Sequence, residues 1–135
     1  MNESATLQQA TTTATLYQKL GGAKGISAIV NDVVAAHLEN PVIRARFLPY
    51  LQDMDKVQVI KGHFCEFLGM GCGGPEVYTG RDMLTVHRGM NISNEEYMAA
   101  VDDIMLVLDR HQVDVQTKKE LLFMAYSAKS QIVHV

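Results

Sequence analysis

Apolar residues recur at intervals of three and four along most of this chain, which is the period of an α-helix. The pattern is clear, for example, at Ile26, Ile29 and Val30. Five stretches carry it: residues 16–20, 23–38, 54–71, 93–110 and 115–133. No segment alternates with period two for long, and no hairpin signal occurs. The sequence therefore predicts an all-α fold with four substantial helices, arranged either as a bundle or as a sandwich of helix pairs.

Polar residues mark where two of these helices begin. Ser93 and Glu96 have the spacing of a capping box, in which each side chain accepts a hydrogen bond from the other's backbone N–H. Ile92 and Tyr97 are spaced as the apolar pair that often flanks such a box. Asp53 comes directly before helix 54–71 and is placed to accept hydrogen bonds from the free N–H groups of its first turn.

The stretch 73–93 is rich in glycine, yet it contains His87 among apolar side chains. Gly73-Gly74-Pro75 ends the helix that precedes it, and Gly80 and Gly89 bracket a short segment. A helix between these glycines has about two turns, which is too short to be stable alone. Its order must therefore come from what it packs against, or from what His87 binds.

Composition limits the functional classes. Residues 1–14 are polar, without the basic region and apolar core of a secretory signal, so we expect disorder there and one domain over 15–135. The net charge is −3 with no basic stripe, which argues against nucleic acid as a partner. The sequence has no continuous apolar window of about 18 residues, so we expect no membrane span. Cys65 and Cys72 are two helical turns apart, too far for a disulfide, which favours reduced thiols and a cytoplasmic location.

Two of the five histidines, His63 and His87, lie among apolar residues. Either one alone is commonly a core histidine that hydrogen-bonds to a backbone carbonyl. On separate elements facing each other across an apolar slot, the two could instead hold a flat metal cofactor such as haem. His37, His111 and His134 are interpreted as a core residue, a helix-end residue and a residue of a frayed tail. No HExxH, CxxC, phosphate-binding loop or GxSxG motif occurs.

Several motifs occur together that are typical of one family. LYQKLGG lies near the start, Phe47 follows, and EFLGMGCGGPEVYTGRDMLTVHRGMNIS occupies residues 66–93. These motifs and their spacing resemble the truncated haemoglobins of group I, over residues 16–132. The resemblance implies a globin-like 2-on-2 helical sandwich, in which helix 23–38 pairs with helix 54–71 and the last two helices pair with each other. It also implies a short or absent first helix and a loop-like proximal segment.

The same resemblance implies a non-covalent haem b whose iron has His87 as its proximal ligand. His63 falls where some members place a second axial ligand. Val34 and Phe64 occupy the distal positions that usually hold tyrosine and glutamine, and neither can donate a hydrogen bond. Some relatives attach haem covalently through a late histidine, and Ser130 stands at that position here. Further haem contacts are implied for Phe47, Ile60, Tyr78, Met83 and Leu84.

The haem propionates are anionic, so cations at the mouth of the pocket should pair with them. Lys56, Lys61 and Arg81 are the candidates. The expected ligands are O₂, CO and NO, and the family allows NO dioxygenation or peroxidase-like side activity with an unidentified electron donor. We expect a monomer or weak dimer without nucleic-acid or membrane partners. We also expect haem, rather than helix propensity, to order the 73–93 stretch.

Two coordination hypotheses remain open. In the first, His63 ligates the iron and the resting haem is six-coordinate; we favour it because an apolar pocket offers an imidazole ligand little competition. In the second, the haem is five-coordinate and His63 donates a hydrogen bond to bound ligand. Two other classes are a non-haem helical interaction module, with both histidines in its core, and a non-haem metal site combining His63 with carboxylates such as Glu66.

Overall fold

The computed structural model describes residues 14–135, and this part of the chain is helical. Its α-helices are α1 (Leu16–Lys19), α2 (Gly22–Glu39), α3 (Arg44–Phe47), α4 (Met54–Gly71), α5 (Met83–His87), α6 (Asn94–Arg110) and α7 (Val115–Ser127). Two 3₁₀ turns cover Leu48–Gln52 and Lys129–Gln131. The expected disorder of the N-terminal segment falls, except for Ala14, outside the described residues. No helix in the described range combines the length and the apolar character that crossing a membrane requires.

Helix α2 is the centre of the fold, because α4 and α6 both pack against it. Helix α6 in turn packs against α7, so the helices form the two expected pairs, α2 with α4 and α6 with α7. The core lies where these helices meet, and its fully buried side chains include Ile26, Val30, Val33, Val107 and Leu108. The all-α fold and the 2-on-2 arrangement are therefore confirmed.

The predicted helix starts are confirmed in detail. The Ser93 hydroxyl accepts a hydrogen bond from the Glu96 N–H at 3.1 Å, and the Glu96 carboxylate accepts one from the Ser93 N–H at 3.2 Å. Asp53 accepts from the Asp55 N–H at 3.1 Å, which caps α4. The first helix has only four residues, as expected, and Gly21 ends it with a left-handed φ of 91°.

The last helix is shorter than predicted. Helix α7 ends at Ser127 and a 3₁₀ turn follows, whereas the sequence pattern predicted a helix to residue 133. The chain then pairs with the segment that follows α5. The His134 N–H donates to the Ile92 carbonyl at 2.9 Å, and the Val135 carbonyl accepts from the Gly89 N–H at 3.2 Å. The prediction of a frayed tail at His134 was therefore wrong, because these residues find backbone partners that only the tertiary fold supplies.

The segment between α4 and α5 has no regular structure, and side chains fix it to α4. The Thr79 hydroxyl donates to Glu66 Oε1 at 2.8 Å. The Tyr78 hydroxyl donates to the Arg81 carbonyl, which folds the segment back on itself. The loop-like proximal segment is thus observed, and it brings Tyr78 next to α4.

Candidate functional site

His87 is the last residue of α5, and one hydrogen bond fixes its ring. Its Nδ1 lies 2.8 Å from the carbonyl oxygen of Met83, one turn earlier. A carbonyl oxygen can only accept, so Nδ1 must carry the proton and donate. The lone pair is then on Nε2, at the far side of the ring, and this is the form in which imidazole ligates a metal.

His63 lies on α4, where the 54–71 helix faces the irregular segment. Its half-buried ring meets the Tyr78 ring edge-on, with centroids 5.9 Å apart and an angle of 73° between the planes. Phe67, one turn further along α4, also meets the Tyr78 ring edge-on, with centroids 5.5 Å apart. Tyr78 therefore lies beside both side chains and holds this end of the irregular segment against them.

The two histidine-bearing helices carry apolar side chains that residues 14–135 cover only in part. Helix α4 has eighteen residues, but Val57 and Gly69 are its only buried ones, and α5 has none. Large apolar side chains are the residues most often found fully buried in folded domains. Here a whole set is only half-buried: Ile60, Phe64, Phe67, Leu68, Met83, Leu84 and Val86. Such a surface, with a free imidazole nitrogen on His87, fits a flat apolar group with a metal at its centre.

Phe47, the expected aromatic contact of haem, is held by a buried polar group. Its ring stacks on the imidazole of His37, with centroids 5.4 Å apart and planes 25° from parallel. His37 is 6% exposed, and its Nδ1 lies 2.8 Å from Asp103 Oδ2. Asn40 donates from Nδ2 to both oxygens of the same carboxylate at 3.1 Å. Burial lowers the pKa of His37, although Asp103 opposes that shift.

The core position of His37 is as expected, but its partner Asp103 was not predicted. Asp103 lies on α6, 66 residues further along the chain. The helical pattern of the sequence does not decide whether its side chain is buried or exposed. A buried aspartate on an apolar helix face is a signal of a polar partner. The sequence does not say which of several residues that partner is.

Among the four side chains expected on the distal side, only His63 can donate a hydrogen bond. Val34 is 9% exposed and lies on α2, where the resemblance places the usual tyrosine. Phe64 and Ile60 are half-buried on α4, one turn apart. Of these four side chains only His63 has a polar atom, since the others offer methyl groups and an aromatic ring.

Lys61 is half-buried and Arg81 is exposed. The ion pairs found within residues 14–135 involve other cations, so both charges remain available to an anionic group there. The expected haem-lining residues thus lie on α2, α3, α4, α5 and the segment between the last two. No cluster of three or more histidine, cysteine, aspartate or glutamate side chains in the described range could hold a metal ion by itself, so the non-haem alternative gains no support.

Known proteins with the same arrangement are found by sequence and by structure. The family model of the bacterial-like globins matches residues 15–133. The group 1 truncated hemoglobin of Tetrahymena pyriformis is 30% identical over 94 residues, which cover 70% of this chain and 74% of that protein. The chain belongs to the truncated globins of group I.

Two further comparisons agree. The group 1 truncated hemoglobin GlbN of Mycolicibacterium paratuberculosis is 26% identical over 109 residues, covering 81% of this chain and 76% of that protein. The crystal structure of the Fe(III) form of the T. pyriformis truncated hemoglobin superposes with a TM-score of 0.80 at 25% identity, over 90% of this globin and 100% of that chain. The globin is therefore a haem protein that binds diatomic ligands such as O₂.

Proposed function

We propose that this globin binds a non-covalent haem b between His87 and His63, with both imidazoles as axial ligands of the resting iron. The observation that carries the proposal is the hydrogen bond from His87 Nδ1 to the Met83 carbonyl. Metal-ligating histidines almost always donate their other ring N–H to such an acceptor, which fixes the tautomer and orients the ring. Haem iron, when bound, supplies the position at which O₂, CO or NO coordinates.

His63 is the second ligand in this proposal because little holds it elsewhere. Its described neighbour is the edge of Tyr78, a contact that does not occupy a ring nitrogen with a strong acceptor. Ile60 and Phe67, one turn to either side of it on α4, are half-buried apolar residues, and the nearby Glu66 carboxylate accepts hydrogen bonds from Thr79 instead. An exogenous diatomic ligand would then bind only after His63 has moved away.

A second candidate keeps the haem five-coordinate, with His63 donating a hydrogen bond to the bound ligand. The observation in its favour is the absence of a donor at Val34 and Phe64, which leaves that role to His63. Both candidates give weaker retention of O₂ than a pocket with a tyrosine and a glutamine donor. Turnover of NO or a peroxide would in addition need an electron donor, and no feature of the described residues points to a particular one.

Non-covalent attachment and propionate pairing complete the proposal. Ser130 is exposed and its hydroxyl lacks the imidazole nitrogen that covalent attachment at that position uses. Lys61 and Arg81 supply the cations for the propionates, with charge-assisted hydrogen bonds. Extraction with acidified butanone should therefore remove all of the haem into the organic phase, and haem that stays with the polypeptide would contradict this part.

The test of His87 is chemical rescue. His87→Gly should bind hemin weakly and lose the wild-type Soret band, because the protein ligand is gone. Added imidazole should restore the band by filling the space that the side chain leaves. His111→Gly is the matched control, since His111 lies at the end of α6 and bonds to Asp32 at 2.7 Å. A wild-type spectrum in His87→Gly without imidazole would overturn the assignment.

The two candidates for His63 differ in ligand-binding kinetics. If His63 ligates the iron, the observed rate of CO binding should level off at high CO, because dissociation of His63 becomes limiting. In His63→Leu the rate should instead rise in proportion to CO concentration. Proportional kinetics in the wild type would leave only the five-coordinate candidate.

A further inference from the structure

We propose that Arg46 is a positioning residue for His87, and that it fixes the segment after α5 to α3 and to the start of α6. This inference rests on the proposed role of His87 as the proximal ligand. Arg46 directly precedes Phe47 on α3, so one short helix would set both the aromatic contact of the haem and the segment that holds its ligand.

The Arg46 guanidinium makes three hydrogen bonds. Its Nε and Nη2 donate to the two carboxylate oxygens of Glu96, at 2.6 and 2.9 Å. Its Nη1 donates to the carbonyl oxygen of Met90 at 2.8 Å. A planar fork of donors can reach a carboxylate in two places and a third acceptor beside it, which a lysine ammonium cannot do.

The bond to Met90 leads directly back to His87. The Met90 N–H donates to the His87 carbonyl oxygen at 3.0 Å, and the Met90 carbonyl is the group that Arg46 holds. Arg46 is therefore two hydrogen bonds away from the backbone of the proposed ligand. Gly89 lies between His87 and Met90, and its φ of 88° lets the chain reverse after α5.

Helix α5 needs such support because it has little of its own. It has five residues, none of them buried, and the Asp82 side chain makes no capping hydrogen bond. A single turn of helix is unstable without tertiary contacts. The C-terminal tail contributes as well, since the Val135 carbonyl accepts from the Gly89 and Asn91 N–H groups that follow α5.

Glu96 connects this arrangement to α6. Its carboxylate accepts from the Ser93 N–H as well as from Arg46, so it is part of the helix cap and of the ion pair at once. The hydrogen bond from Arg46 lowers the pKa of Glu96 to about 2. The carboxylate is therefore ionised near neutral pH, and the pair is charged there.

Arg46→Met removes all three bonds, and Arg44→Met is its matched control. Arg44 lies on the same short helix, is exposed, and takes part in none of the ion pairs found in the described range. Arg46→Gln keeps one donor group and should be intermediate. It also preserves the test if Arg46→Met does not fold, because haem release from Arg46→Gln at the wild-type rate would then overturn the proposal.

The first readout is haem transfer to excess apomyoglobin, in a His63→Leu background where His87 is the sole axial ligand. Arg46→Met should release haem about tenfold faster than Arg44→Met, the lower end of the effect of groups that orient a ligand. The iron–histidine stretching band in the resonance Raman spectrum of the ferrous protein should shift or broaden in Arg46→Met alone. Equal release rates and an unchanged band in the two variants would contradict the inference.

The second readout needs no haem. Hydrogen exchange of the Gly89 and Asn91 amides in the haem-free protein should accelerate in Arg46→Met and stay unchanged in Arg44→Met. His87→Gly separates the two proposals: if it keeps the wild-type spectrum, the proposed ligand is wrong. If it loses the spectrum while Arg46→Met behaves as Arg44→Met in both readouts, only the positioning role of Arg46 is wrong.

Discussion

At the scale of single residues, buried and half-buried polar groups fix the side chains that surround the proposed haem site. His87 is oriented by the Met83 carbonyl, and Phe47 is supported by the ring of His37. His37 is itself held by Asp103, which is 9% exposed. Each of these contacts determines where a neighbouring side chain points, so their loss should affect the site as well as stability.

Asp103→Ala should be destabilising by about 2 kcal/mol, because it leaves the buried His37 Nδ1–H and the Asn40 amide without their acceptor. Asp102→Ala, at the exposed neighbouring position on α6, is the control and should change little. Urea unfolding of both variants measures the difference. Similar free energies of unfolding for the two would show that the buried network contributes nothing specific.

The Glu96 carboxylate predicts a pH dependence. Its pKa in the folded protein is about 2, below its ordinary value of 4.5, so the unfolded chain binds the proton first. The stabilisation from this group is therefore complete above pH 4.5 and is lost as the pH falls towards 2. The pair is partly exposed, so we expect only about 1 kcal/mol near neutral pH. The stability difference between wild type and Glu96→Gln should vanish over that range; a constant difference would contradict the assignment.

At the scale of elements, the long helices follow from local signals and the segments between them do not. The start of α6 is predictable because Ser93, Glu96 and Tyr97 are close in sequence. The end of α7 was predicted wrongly, because residues 133–135 pair with residues 89–92, an earlier segment that no local pattern identifies. The Arg46–Glu96 ion pair could not be predicted from the sequence for the same reason, since its two residues are 50 positions apart.

The stretch 73–93 divides into two parts with different sources of order. Residues 88–93 are held by Arg46, Glu96 and the C-terminal tail. Helix α5 instead has no buried residue, and the segment before it is held to α4 by side chains, such as Thr79 on Glu66, without regular backbone pairing. Haem should therefore slow hydrogen exchange strongly over residues 76–87 and weakly over 88–93. The whole stretch was expected from the sequence to depend on haem. Equal protection of 76–87 with and without haem would contradict the idea that the cofactor orders α5.

At the scale of the whole molecule, the 2-on-2 fold leaves α4 and α5 with apolar faces that α2 and α6 do not cover. The fold and the family could be predicted, because helical periodicity and the motifs around Gly73 and His87 are properties of the sequence alone. The support behind the site could not be predicted, because Asp103 and Arg46 act on residues that only folding brings near. The prediction that haem covers the exposed apolar faces has consequences for stability.

Haem should stabilise the folded globin by mass action, since the unfolded chain lacks the site. A free hemin concentration of about 100 times the dissociation constant corresponds to about 2.7 kcal/mol. Thermal unfolding with increasing hemin should show a rising midpoint in the wild type and a much smaller rise in His87→Gly. An equal rise in both would mean that hemin binds the surface without using the proposed ligand.

The absorption spectrum of the ferrous, ligand-free protein tests most directly whether haem lies between His87 and His63. Two imidazole ligands make ferrous haem low-spin, so the wild type should show a sharp pair of α and β bands, and His63→Leu should lose it. A broad high-spin band in the wild type would contradict the six-coordinate account.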